Sequence, residues 1–277
     1  MKARTATPTA PEVSVVVPVH NEAENIAPLL AEIHDALEGV IDYEVIFVDD
    51  GSTDATNQVL MDCATTYGRL RPVRHERNCG QSAALASGVG AARSQWIATL
   101  DGDGQNVPAD IPVLLAKLHE FPAGEEPGMI CGQRVKRRDT WLKRASSKIA
   151  NGIRGWILHD RTPDSGCGLK IFRRNVFLTL PRFDHMHRFL PALFRMAGDR
   201  AVSFPVNHRP RARGRSHYGV HDRLWAGMAD ILGVMWLGRR MQLTVCVELD
   251  GTEHKRTDTA AAPENAGHLR RSGSANA

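Results

Sequence analysis

Residues 96–108 read WIATLDGDGQNVP. The apolar run Trp96–Leu100 stops at Asp101, and oxygen-bearing side chains then alternate with glycine or a neighbour: Asp101, Asp103, Gln105. In extended backbone, alternate residues point to one side. Three oxygen-bearing side chains then face one point, and the glycines let chain and ligand approach closely. Two carboxylates this close repel each other unless a positive charge lies between them. A hard divalent cation suits such ligands, and Mg²⁺ keeps room for phosphate oxygens. The stretch therefore reads as a strand end that carries Mg²⁺ or Mn²⁺ and, through it, a diphosphate.

Working outward, the same grammar repeats. Val13–Val19 (VSVVVPV) is a β-branched run that predicts a buried strand. Ile26, Leu29, Leu30, Ile33 and Leu37 then recur at helical spacing. Glu44–Val48 is a second strand, ending in DDGSTD, where Ser52 or Thr53 is placed to cap a helix. Arg71–His75 reads as a third strand, Gly80–Arg93 as a helix of small residues, and Trp96–Leu100 as the fourth strand. Pro108 suits the first turn of a further helix, and Met129–Gly132 is a short fifth strand. This alternation predicts an α/β domain with a mixed, mostly parallel sheet and helices on both faces.

After Gly132 the pattern changes. Arg134–Leu158 is basic and reads as mostly helical, and Asp164–Arg174 mixes glycine, cysteine and charge. Arg188–Gly198 reads as a helix and Ala201–Val206 as a strand, followed by the basic loop NHRPRARGRSHYG. Asp222–Leu237 is an apolar helix with two tryptophans. The domain boundaries expected are a disordered lead over 1–11, a catalytic domain over 12–219, an apolar helical region over 220–250 and a disordered tail over 251–277.

Ligands of open parallel sheets bind beyond the carboxyl ends of the strands. Three acid-bearing turns fall there: PVHNE (18–22), DDGSTD (49–54) and DGDGQ (101–105). Acids after strands often do no more than cap helices, and DDGSTD alone would be read so. Three on one edge indicate a site. A calcium loop of the EF-hand kind needs glycine at its sixth position and glutamate at its twelfth; from Asp101 those positions are Asn106 and Pro112. A phosphatase with an aspartate nucleophile places its Asp-x-Asp on the first strand, and here it follows the fourth. Neither G-x-G-x-x-G after the first strand nor a P-loop is present.

Composition excludes other classes. The 277 residues carry a net charge of +4, which permits an anionic partner without demanding one. The basic stretches lack interleaved aromatics, which argues against nucleic-acid binding. Five cysteines, none in C-x-x-C, argue against a disulfide framework or zinc cluster and for a reducing compartment. The opening MKARTATPTAPE lacks the apolar core of a secretory signal. No run reaches the roughly 18 apolar residues of a membrane span.

PVHNE, VDDGSTD and DGDGQ, in this order, resemble family 2 nucleotide-sugar glycosyltransferases with the GT-A fold. The resemblance is to their polyprenyl-phosphate branch, which includes dolichol-phosphate mannosyltransferase. It extends through RNCGQSAALASG (77–88), DSGCGLKIFRR (164–174), FDHMHRFLPAL (183–193) and VNHRPRARGRSHYG (206–219), covering about residues 12–240. It implies that Pro18, His20 and Glu22 line the base and ribose, and that Asp50 faces them. Many relatives have Tyr at the position of His20; a surface histidine at a helix start is the other reading of that residue. Asn78 and Gly80 would shape the turn beside the nucleotide, or an ordinary loop. Asp101, Asp103 and Gln105 would form the metal and diphosphate set, with Asp103 a direct ligand. Arg211, Gly214 and Ser216 match a loop over the donor diphosphate, with His217 standing where lysine is usual.

For the acceptor, the resemblance implies that Arg134, Arg144 and Ser147 hold a lipid phosphate; whether Lys143 or Arg144 aligns stays open. The reaction implied is inverting transfer of a sugar from a nucleotide diphosphate to a polyprenyl phosphate (dolichyl or undecaprenyl). GDP-mannose and UDP-hexose both fit as donor. A phosphate monoester has its second pKa near about 6, so such an acceptor needs no general base. A hydroxyl acceptor would need one, for which Asp164 is available. Leu224–Leu237 reads either as an interfacial helix with its tryptophans near the headgroups or as a core helix. The first reading places the chain on the cytoplasmic face of a membrane. The competing functions are a soluble family 2 enzyme with a hydroxyl acceptor and a non-catalytic nucleotide-sugar-binding module.

Overall fold

The structure, a computed structural model, describes residues 10–135, 162–210 and 222–241, with side chains of the last segment from 230 onward. Among these, seven strands form one sheet: β1 (Val13–Val19), β2 (Tyr43–Asp49), β3 (Leu70–Arg74), β4 (Trp96–Thr99), β5 (Met129–Arg134), β6 (Lys170–Arg173) and β7 (Ala201–Val206). Their order is β3-β2-β1-β4-β6-β5-β7. All neighbours run parallel except β6, which is antiparallel to both β4 and β5.

The β-branched composition of β1 and β2 suits strands covered on both faces. Alternation then divides their side chains. Val13, Val15, Val17 and Val19 pack with Ile26, Leu29 and Ile33 of α1 (Ala23–Leu37), with Leu60 of α2 (Thr56–Thr66) and with Leu114 of α4 (Asp110–His119). Val16, Ile46 and Val48 face the other way. They meet Leu85 and Val89 of α3 (Gln81–Ala91), Phe177 of α5 (Arg174–Thr179) and Phe194 of α6 (Leu190–Met196). A further helix, α7 (Asp222–Arg240), adds Val234 to this second layer.

Several local expectations need correction. The strand β6 was hidden in a charged, glycine-rich segment; Lys170 opens it and is 5% exposed. Neither Ser52 nor Thr53 caps α2. The helix starts at Thr56, so the cap position falls on Ala55, and Asp54 Oδ1 accepts the first helical amide, that of Thr56, at 2.9 Å. Pro108 lies in the turn before α4, where its carbonyl accepts the Ile111 amide at 2.9 Å. The helix expected over 188–198 is a 3₁₀ turn at Met186–Arg188 followed by α6. Beyond Arg134, the basic helix expected up to residue 158 lies outside the described residues, as do the lead over 1–9 and the tail.

Two features open the crevice. β1 pairs with β4 only as far as Val16↔Thr99, whereas it pairs with β2 through Val19↔Asp49. The strands β1 and β4 part at the point where chain order reverses, which is where open α/β sheets hold ligands. Pro18 falls beyond that parting, so its missing N–H removes no bond to β4. Second, β6 runs backwards. Its beginning therefore lies at the same edge as the ends of β4 and β5.

Candidate active site

The three acid-bearing turns meet at this edge. Asn21, held at φ 55°, binds the first two together. Its Oδ1 accepts the amides of Thr53 (2.9 Å) and Asp54 (3.3 Å), and its own amide donates to Ser52 Oγ at 2.9 Å. The neighbouring Glu22 amide donates to Thr56 Oγ1 at 3.0 Å, and Glu22 Oε2 accepts from Asn25 Nδ2 at 2.5 Å. The ring of His20 is fixed at both nitrogens, Nδ1 on the Asp50 carbonyl at 2.9 Å and Nε2 on Asn21 Nδ2 at 3.2 Å. An amide nitrogen donates, so the ring proton sits on Nδ1.

Asp50 is 3% exposed. Its Oδ1 accepts from the Cys79 amide at 2.9 Å and pairs with His75 Nδ1 at 2.7 Å; its Oδ2 accepts from the Gly80 amide at 2.7 Å. This carboxylate therefore folds the RNCG turn over the end of β2. Gly51 completes the contact: at φ +66°, a Cβ there would lie 2.4 Å from the Arg77 carbonyl carbon. Asn78 Oδ1 also accepts the Gly80 amide, at 3.2 Å.

Asp101 follows β4. Its amide donates to Asn106 Oδ1 at 3.0 Å, and its Oδ1 accepts from Gln81 Nε2, on the first turn of α3, at 3.0 Å. Burial raises the Asp101 carboxyl above its ordinary range, and the charge of Asp103 raises it further; Lys170, Arg134 and Gln81 offset this in part. Asp103 Oδ1 accepts the Gln105 amide at 3.1 Å, which curls the loop into a compact acidic turn. The donor set Asp101, Asp103 and Gln105 offers only oxygen ligands and carries unbalanced negative charge. A hard divalent cation fits it.

The segment after β7 closes the loop from above. Asn106 bridges His208. Arg209 Nε donates to the Gly104 carbonyl at 2.5 Å, and its Nη2 donates to Glu32 of α1 at 2.6 Å. Asn207 donates twice to Asp110, at 2.7 and 2.8 Å. The chain that leads into Arg211, Gly214 and Ser216 is thus anchored to the acidic turn. Arg211, Gly214, Ser216 and His217 themselves lie outside the described residues, as do Lys143, Arg144 and Ser147.

On the far side of Asp101, Arg134 forms a two-pronged pair with Asp164: Nε to Oδ2 and Nη2 to Oδ1, both 2.7 Å. Burial alone would lower the Arg134 pKa, but the bonds and charge of Asp164 outweigh it and hold it raised. Lys170 donates to the Cys167 carbonyl. His187 pairs with Ser82 Oγ at 2.8 Å and is pushed down to about 3 by burial and by the charges of Lys170 and Arg188. Three successive residues at the start of α3 therefore reach three places: Gly80 to Asp50, Gln81 to Asp101, Ser82 to His187.

Sequence reasoning passed over Gln81, Asn106, Gly168, Lys170 and Arg209. Arg209 belonged to an arginine run with no pattern to single it out. Asn106 broke the alternation that drew attention to its neighbours.

Fold and site together define a GT-A-type α/β protein, with an acidic turn at the switch point of its sheet. Comparison gives the family. Residues 14–180 match glycosyl transferase family 2, and the chain belongs to that family. It is 37% identical over 236 residues to a dodecaprenyl-phosphate galacturonate synthase of Rhizobium johnstonii, covering 82% of this chain and 68% of that protein. It is 32% identical over 211 residues to an undecaprenyl-phosphate 4-deoxy-4-formamido-L-arabinose transferase of Edwardsiella ictaluri, covering 75% of this chain and 63% of that one. Among solved structures, glucosyl-3-phosphoglycerate synthase from Mycobacterium tuberculosis, in complex with Mg²⁺ and UDP, shares the fold. The TM-score is 0.61 at 20% identity, covering 83% of this chain and 79% of that one.

Proposed function

We propose that this glycosyltransferase moves a sugar from a nucleotide diphosphate to a polyprenyl phosphate, with inversion and without a general base. The observation that carries this reading is the Arg134–Asp164 pair. Asp164 is the carboxylate that a hydroxyl acceptor would call upon, and both its oxygens are committed to Arg134 at 2.7 Å. An acceptor that arrives ionised needs no such base. Relatives that act on dodecaprenyl and undecaprenyl phosphates support the same acceptor class.

The residues divide the work. The turns carrying Pro18, His20, Glu22, Asp50, Asn78 and Gly80 receive the base and ribose. Asp101, Asp103 and Gln105 hold Mg²⁺ or Mn²⁺, which when bound supplies positive charge beside the donor diphosphate; a structural relative holds Mn²⁺ with UDP-glucose. Arg211 and Ser216 close over the diphosphate and stabilise the charge that grows on it as the sugar leaves. Arg134, Arg144 and Ser147 orient the lipid phosphate so that its oxygen meets the anomeric carbon in line.

The lipid acceptor calls for a membrane surface. No helix among the described residues is long and apolar enough to cross a membrane. On α7, Leu232 is 53% and Trp236 62% exposed, four residues apart and followed by Arg239 and Arg240. This combination suits a helix lying at an anionic interface, here on the cytoplasmic face.

The test is a screen of nucleotide sugars with polyprenyl phosphate and either cation, read as lipid-linked sugar. Lipid-dependent product is expected. Transfer to a soluble hydroxyl acceptor without lipid, or nucleotide binding with no turnover on any acceptor, would overturn the reading.

A further inference from the structure

We propose that Asp50, His75 and Cys79 form a second metal site, suited to a borderline transition ion such as Zn²⁺. It is distinct from the all-oxygen set at Asp101, Asp103 and Gln105. One carboxylate oxygen from the end of β2, and one ring nitrogen and one sulfur from the turn that follows β3, lie within 4.8 Å of one another. Nitrogen and sulfur ligands select Zn²⁺ over Mg²⁺, so the two sites sort ions by chemistry.

Each of the three groups has neighbours that fix where it lies. A metal-bound histidine characteristically donates its other ring N–H to a neighbour, which fixes the tautomer. His75 Nε2 lies 2.8 Å from Ser87 Oγ, in the middle of α3, and its Nδ1–H donates to Asp50 Oδ1 at 2.7 Å, so binding asks the ring proton to move from Nδ1 to Nε2. The Asp50 carboxylate is held by the amides of Cys79 and Gly80. Cys79 is exposed and gives an ion a path inward, and its thiol donates to the Arg77 carbonyl at 3.3 Å.

Closure asks for small movements. Ligand atoms around tetrahedral zinc stand about 3.3–3.8 Å apart, given bonds of about 2.0–2.3 Å. The 2.7 Å contact between His75 and Asp50 must open slightly, and the exposed Cys79 thiol must turn inward. On binding, the Cys79 proton leaves to solvent, the ring proton of His75 resides on Nε2 and is donated to Ser87, and water fills the fourth position.

The experiment is Co²⁺ titration of the reduced full-length chain, with Zn²⁺ as competitor. A sulfur-to-cobalt charge-transfer band saturating at one equivalent and abolished by Zn²⁺ is expected. Cys79→Ser should remove the band, and Ser87→Ala should weaken binding tenfold or more through loss of the oriented tautomer. Asp103→Asn should leave the band unchanged. Thermal melting of each variant checks that it folds. Absence of the band, or its survival in Cys79→Ser, would overturn the site. The site shares Asp50 with the turns assigned to the base and ribose; Cys79→Ser keeps Asp50, so lipid-linked sugar formed by that variant tests glycosyl transfer separately from the metal site.

Discussion

Gly168 stands where it does because the carboxylate of Asp101 fills the place of its side chain. A Cβ on Gly168 would lie 2.2 Å from Asp101 Oδ2 and 2.7 Å from Asn106 Oδ1. The backbone just before β6 thus forms the wall against which the acidic turn is set.

Gly168→Ala should therefore displace Asp101 rather than unfold the domain. Overpacking of this kind costs about 1–3 kcal/mol, and the movement falls on a metal-ligand candidate. Turnover should drop at least about tenfold while the melting temperature shifts by only a few degrees. Steady-state kinetics and thermal melting in parallel decide it; unaltered kcat would show that the contact has no bearing on the reaction.

Asp103→Asn should abolish most activity with the fold intact. An uncharged amide binds Mg²⁺ poorly, and Asp103 is tied to little except the Gln105 amide at 3.1 Å. The affinity for Mn²⁺ should fall in calorimetry. Undiminished metal-dependent turnover would remove Asp103 from the ligand set.

Arg211 and Arg144 are assigned to different substrates. A hydrogen bond to a charged group contributes about 1.5–3 kcal/mol, roughly ten- to a hundredfold. Arg211→Ala should lower kcat, since diphosphate charge grows as the sugar leaves. Arg144→Ala should raise the acceptor KM and spare donor affinity. Varying each substrate in turn separates them, and the opposite pattern would exchange the two assignments.

His187 makes stability depend on pH. Its folded pKa is about 3 against an ordinary 6.5. Between those values the unfolded chain binds more protons, so stability falls as pH drops from about 6.5 toward 3. At pH 5 the loss from this one group is about 2 kcal/mol. His187→Gln should flatten that part of the profile in urea unfolding at pH 7.5 and 5.0. Parallel profiles for variant and parent would assign the acid sensitivity elsewhere.

Trp236→Ala should weaken co-sedimentation with anionic vesicles, most clearly at low salt. Its side chain is 62% exposed, so the change should leave the melting temperature nearly alone. Binding that ignores this substitution would place the lipid contact on another surface.

Much of this architecture could be read from the chain because its signals are local. The β-branched runs at Val13–Val19 and Glu44–Val48 and the 3.6-residue period from Ile26 to Leu37 depend on near neighbours. The Asp-x-Asp-x-Gln alternation marked the segment, but its extended reading fails: the backbone turns at Gly102–Asp103, with Gly104 at φ 72°, because Asp103 accepts the Gln105 amide. What escaped depends on partners distant in sequence. Lys170 is buried by the sheet pairing of β6, which no four-residue KIFR segment reveals. Gly168 matters through Asp101, and a glycine carries no pattern of its own. Asp164 was weighed as a base; only the fold brings Arg134 against it, 30 positions away.

That same pair closes a neck. Because β6 runs against β5, the chain leaves the sheet at Arg134 and re-enters near Asp164 at one edge, and the two residues staple departure to return. Whatever length of chain lies between, its two ends are held together at the rim by this pair. Added or removed residues between these ends leave the β5–β6 register in place. Added length costs only loop closure, about 0.6 kcal/mol for each doubling. A change of length between those ends therefore asks nothing of the strands that carry the three acid-bearing turns.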